Sequence, residues 1–138
     1  MKIYLASPWF KDNERVMYRQ ILDKMRSQGH EVYAPIEHEI EDAWEKSNEQ
    51  WAREVFSADI QAIRDCDEVW VLNFGMYSDS GTAWECGFAY GIGKTVRQLV
   101  YNFGEQVFSL MMINGCDEFD LMGNYLFDRD DEIKIEQK

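Results

Sequence analysis

At 138 residues, 46% hydrophobic and 29% charged, the chain suits one packed core with little room for a second, and its apolar content separates it from disordered polymers. A net charge of −12 excludes the basic face that a phosphate backbone requires and works against binding to anionic membranes. With no signal-like leader and no long apolar run, residues 1–138 are expected to form a single cytoplasmic domain.

Lys2 to Ala6 (KIYLA) is a short β-rich run that stops at Ser7-Pro8, where proline has no N–H to offer a ladder. Asn13 to Gln28 sets Val16, Met17, Ile21, Leu22 and Met25 at helical spacing, with Gly29 where a C-terminal cap belongs. Glu31 to Ala34 predicts a second strand ended by Pro35. The acidic stretch Glu37 to Asn48 is long for a connection and reads as a loop with the character of a lid. Glu49 to Arg64 puts Trp51, Val55, Phe56, Ile60 and Ile63 on one helical face, and Glu68 to Leu72 follows as a third strand. Gly81 to Gly91 is the next helix and Thr95 to Tyr101 the next strand. The acidic segment from Asp128 to Glu132 has no predicted element, so residues 128–138 read as a solvated tail.

Repeated βαβ alternation predicts an α/β fold, a doubly wound, flavodoxin-like parallel sheet with helices on both faces, whose ligands bind beyond the carboxyl ends of the strands. Cys66, Cys86 and Cys116 are widely spaced, and neither His30 nor His38 sits near other plausible ligands. No disulfide framework, metal or organic cofactor is expected. Trp51 and Trp84 are assigned to packing, and both histidines to structural or surface roles.

Three loops should meet at the carboxyl edge: Ser7-Pro8-Trp9-Phe10, the stretch from Glu37, and Asn73 to Ser80. The last runs into Asp79-Ser80-Gly81-Thr82-Ala83-Trp84-Glu85-Cys86-Gly87, where glycines such as Gly81 let backbone approach a ligand at a helix start. Asp79 and Glu85 are separated by about one and a half helical turns. An acid such as Glu85, among small and apolar neighbours, is either locally paired or reactive.

The stretch DSGTAWECG at Asp79 to Gly87 resembles the signature of nucleoside 2-deoxyribosyltransferases, as do IYLASPWF at Ile3 to Phe10 and SADIQAIRDCDEV at Ser57 to Val69. The resemblance implies that Glu85 is the nucleophile attacking the anomeric carbon and that Asp79 binds the sugar. It makes Asp59 a binder or proton donor for the departing base, and Tyr4 the hydroxyl that orients Glu85. Without it, Tyr4 would read as a buried strand residue and Asp59 as a surface acid. Trp9 and Phe10 are candidates to stack on the base, although aromatics after a strand also serve the core.

The chemistry suits such a set. A deoxyribosyl cation lacks the electron-withdrawing 2′-hydroxyl, so a carboxylate can catch it, and the leaving base needs a proton from a second acid. The implied substrates are deoxyribonucleosides and free nucleobases, and the implied assembly is a homo-oligomer whose subunits complete each other's sites. One departure concerns the 5′ end. Where many family members carry Asn-Leu-Met, this chain has Ser109-Leu110-Met111, resembling the serine of the related 2′-deoxynucleoside 5′-monophosphate N-hydrolases. Asp79, however, stands where those hydrolases have a second phosphate-binding serine, so transfer between free nucleosides is the main expectation and nucleotide hydrolysis the alternative. A non-catalytic nucleoside-binding module on the same scaffold is the alternative of another class.

Overall fold

Strand β1 (Lys2–Ala6) is buried along all but its first residue because it lies inside the sheet. Its side chains alternate. Ile3 and Leu5 join one core cluster with Tyr18, Ile21, Leu22 and Met25 of helix α1 (Asp12–Ser27), whereas Tyr4 and Ala6 turn to the other face. A computed structural model describes residues 1–38, 43–76, 79–101, 107–130, 133 and 136–137.

Strand β2 (Glu31–Tyr33) pairs with β1, helix α2 (Asn48–Asp65) crosses over, and strand β3 (Glu68–Asn73) pairs with the other edge of β1. Helix α3 (Ser80–Gly91) leads to strand β4 (Thr95–Val100), then come the short strand β5 (Val107–Phe108) and helix α4 (Leu110–Asn114). Strand β6 (Glu118–Leu121) and helix α5 (Met122–Phe127) finish the main layers. The sheet order β2-β1-β3-β4-β6 is parallel throughout, as the βαβ alternation predicts. Met122 of α5 shares the α1 core, while Ile63 of α2 and Cys86 and Ala89 of α3 pack with Tyr4, Val69, Val71 and Val96 on the opposite face. All five strands therefore deliver their carboxyl ends to one edge.

One expectation needs revision, and another falls partly outside the described residues. Residues 128–138 are not simply a solvated tail: β7 (Glu136–Gln137) pairs in parallel with β5, and Asp128 takes an ion pair from Lys24 at 3.1 Å. The segment from Glu37 to Asn48 contains 3-10 turns at Pro35–Glu37 and Ala43–Glu45 and the first residue of α2. The centre of the lid reading, residues 39–42, lies outside the described residues.

Candidate active site

Tyr4 and Glu85 are far apart in sequence but meet because β1 and α3 pack on the same side of the sheet. Tyr4 is fully buried and its hydroxyl donates a hydrogen bond to Glu85 Oε2. Burial pushes the Glu85 carboxyl up to about 7; the Tyr4 hydrogen bond opposes this, and the negative charges of Asp59 and Asp79 add to it. Among the described residues no Lys or Arg forms an ion pair with Glu85. Burial and the neighbouring Glu85 raise the Tyr4 phenol well above its ordinary value, so it stays a hydrogen-bond donor.

Asp59 reaches the same place from α2. With Glu85, Gly81, Trp51, Phe56 and Trp84 it lines a cavity of about 390 Å³ between α2 and α3. Burial raises the Asp59 carboxyl, with His38 opposing. It therefore keeps its proton to a higher pH than an ordinary aspartate, which suits a donor to a departing base. Trp51 and Trp84, assigned to packing, are 45% and 49% exposed and form walls of this cavity. Trp84 stands edge-on to Phe56 and stacks on Phe88.

Asp79 caps α3. Its Oδ2 accepts from Thr82 N at 2.9 Å and Thr82 Oγ1 at 3.0 Å, and Oδ1 accepts no hydrogen bond from the described residues. One carboxylate oxygen thus anchors the helix, and among the described residues the other has no donor. A Cβ at Gly81 would stand 3.0 Å from Asp79 Oδ2, close enough to press on the capping carboxylate.

The loop after β1 is clamped by residues that sequence reasoning missed. Glu14, only 5% exposed, accepts from Phe10 N at 3.1 Å and Lys11 N at 3.0 Å. Arg15 donates to the carbonyls of Trp9 at 3.1 Å and Phe10 at 2.8 Å. A Glu at the third position of a helix signals a capping box, but Lys at the cap position hid it. Ser7 is buried and donates its hydroxyl to the Pro8 carbonyl. Trp9 packs edge-on against Tyr18, and Phe10 is largely exposed.

Ser109 is not brought to Glu85 within the chain. It precedes α4 and lines a separate groove with Ala83, Cys86, Gly87 and Tyr90, on the face of α3 opposite Gly81, Trp84 and Glu85. Among the described residues no group of three or more His, Cys, Asp or Glu side chains could hold a metal ion.

The buried carboxyl has a thermodynamic signature. The folded protein holds the Glu85 proton up to about pH 7, whereas an ordinary glutamate releases it near 4.5. Ionisation of Glu85 therefore opposes folding, by nothing below pH 4.5 and by its full amount once pH passes 7. Glu85→Gln should melt with the wild type at pH 4 and above it at pH 8, by a stability difference on the order of 2 kcal/mol. Thermal scans at the two pH values measure this, and equal melting at pH 8 would contradict the burial argument.

A family model described as nucleoside 2-deoxyribosyltransferase matches residues 3–131. Among solved structures, a 2-deoxyribosyltransferase from the psychrotolerant bacterium Bacillus psychrosaccharolyticus is 32% identical, over 94% of this chain and 93% of that one, with a TM-score of 0.78. A conserved protein from Enterococcus faecalis is 26% identical over 72% of this chain and 62% of its own, with a TM-score of 0.60. A CMP N-glycosidase from Clostridium botulinum shares the fold, at 18% identity over 93% of this chain and 97% of its own, with a TM-score of 0.63. None of the curated protein sequences matches the chain. Matched from Ile3 almost to its end, and nearly a third identical to a relative of the same overall extent, the chain belongs to the nucleoside 2-deoxyribosyltransferase family.

Proposed function

We propose that the protein exchanges the base of 2′-deoxyribonucleosides through a covalent deoxyribosyl intermediate on Glu85. The observation that carries this reading is the hydrogen bond from Tyr4 to a half-buried Glu85 in the wall of a cavity that Asp59 also lines. A Glu85 oxygen attacks the anomeric carbon as the N-glycosidic bond breaks, and the base leaves with a proton supplied by Asp59. An incoming base then attacks the same carbon, displaces Glu85 and returns a proton to Asp59. Asp79 Oδ1 accepts from a sugar hydroxyl, and Gly81 lets the sugar approach.

Ser7, Trp9 and Phe10 do not line the cavity between α2 and α3; their part in this reading is on the clamped loop at the carboxyl end of β1, where the two aromatics would face the base. Ser109, facing away from its own Glu85, fits a role in a neighbouring subunit's site within a homo-oligomer. The chemistry calls on carboxyl and hydroxyl groups alone, without cofactor or metal, in nucleoside salvage in the cytoplasm. No described helix is long and apolar enough to cross a membrane.

Incubation with deoxyadenosine and cytosine should yield adenine and deoxycytidine in equal amounts. Adenine release with no new nucleoside would make the protein a hydrolase, and binding without release would make it a nucleoside-binding module.

A further inference from the structure

Two buried side-chain amides meet beneath the active-site edge. Gln98 in β4 and Asn73 at the end of β3 are each 1% exposed, and neither belongs to the catalytic set. Asn73 Nδ2 donates to Gln98 Oε1 at 3.0 Å, and Asn73 Oδ1 accepts from Gly75 N at 3.0 Å. Gly75 opens the connection to Asp79 with φ at 122°, a conformation that favours glycine. Gln98 Nε2 donates to the Met112 carbonyl in α4 and lies 3.7 Å from Cys86 Sγ. Cys86 directly follows Glu85, and its thiol in turn points to the Gly115 carbonyl at 3.8 Å.

Val96 and Val100 flank Gln98 on the same side of β4 and are fully buried. An apolar residue between them would fill the space without the desolvation cost of an amide. The amides are tolerated because each of their polar groups meets a partner. Those partners lie on five segments: β3, β4, the turn toward Asp79, α3 at Cys86 and α4.

We propose that Gln98 is a positioning residue for the nucleophile, its amide joining the Asn73–Gly75 turn, α3 at Cys86 and the Met112 carbonyl into one unit that sets where Glu85 stands relative to Tyr4 and Asp79. The proposal rests on Glu85 being the nucleophile. Gln98 touches neither sugar nor base, so its loss should leave binding intact and misplace the attacking oxygen, and a displacement of about 1 Å can cost on the order of 100-fold in rate.

The test compares Gln98→Met, which removes the amide at similar length, with Gln98→Glu, which keeps the shape and the acceptor for Asn73 but cannot donate to Met112 when ionised. Active sites are first counted by labelling with a 2-fluoro-2-deoxyarabinosyl nucleoside, so that misfolded protein does not enter the rate. Expected is a fall of about 10- to 100-fold in kcat per labelled site, with KM within about twofold of wild type. Wild-type kcat per labelled site in whichever variant folds, however low its melting temperature, would overturn the proposal and leave Gln98 a purely structural residue. Failure of the wild type to label at Glu85 would instead remove the nucleophile on which the proposal depends.

Discussion

Glu85→Ala should lower base exchange by roughly 10³-fold or more while leaving a folded protein. The large effect follows from the site's composition. Asp59 and Asp79 are the other carboxylates electrostatically coupled to Glu85, but Asp79 is engaged through Oδ2 as the cap of α3, and Asp59 holds its proton more tightly than an ordinary aspartate. Neither can replace a carboxylate oriented by the Tyr4 hydroxyl. The fold should survive because the half-buried Glu85 forms no ion pair among the described residues, so its removal strands no charge. In the wild type, kcat/KM should follow a bell-shaped pH profile, rising as Glu85 ionises near pH 7 and falling as Asp59 loses the proton it must give to the base. Mass spectrometry of protein treated with a 2-fluoro-2-deoxyarabinosyl nucleoside should find the sugar on the peptide containing Glu85, since fluorine slows turnover of the intermediate. Wild-type exchange by Glu85→Ala, or a label on another residue, would rule out this mechanism.

Free deoxyadenosine should be used at least about 100-fold better than its 5′-monophosphate, a discrimination of roughly 2.7 kcal/mol. At an effective dielectric of about 20, two like unit charges 4 Å apart repel by roughly 4 kcal/mol, so a phosphate facing the Asp79 carboxylate is disfavoured by more than this margin. The net charge of −12 adds long-range repulsion of the same sign. Deoxyadenosine and its monophosphate, each with and without cytosine, should be compared while free base, deoxyribose products and new nucleoside are followed together. Preference for the monophosphate, with release of deoxyribose 5-phosphate and no new nucleoside, would replace the transferase by a nucleotide hydrolase that uses Ser109 for phosphate.

The helices and the longer strands from β1 to β4 were legible because each carries a periodic signal, and the three-residue β2 because Gly29 and Pro35 bracket it. Their boundaries moved by only a residue or so, as where the strand expected to reach Ala34 ends at Tyr33. Beyond Tyr101 the elements are too short to show a period: α4 has five residues, β6 four and α5 six. The meeting of Tyr4, Asp59, Asp79 and Glu85 came from motif resemblance, since no spacing rule brings β1, α2 and α3 together. Periodicity also offered no reason to look beyond packing for Trp51. A helical stripe shows that apolar residues share a face without saying what the face meets, and in α2 that stripe borders the cavity, with Ile63 its buried member. Asn73 and Gln98 were missed for the converse reason: a polar residue in a strand suggests a solvent-facing position, and only tertiary packing reveals a buried pair.

The split duty of Asp79 bears on how substrate range can change over evolutionary time. Serine and aspartate are near equals as helix N-caps, so an Asp-to-Ser exchange at this position keeps α3 anchored through Thr82 and deletes the negative charge. The related monophosphate hydrolases resemble a chain that has made this exchange. If Asp79 meets the sugar as proposed, a lineage could cross from nucleosides toward nucleotides at this position without passing through an unstable ancestor, because the charge that would select substrate and the cap that holds the helix are different features of a single side chain.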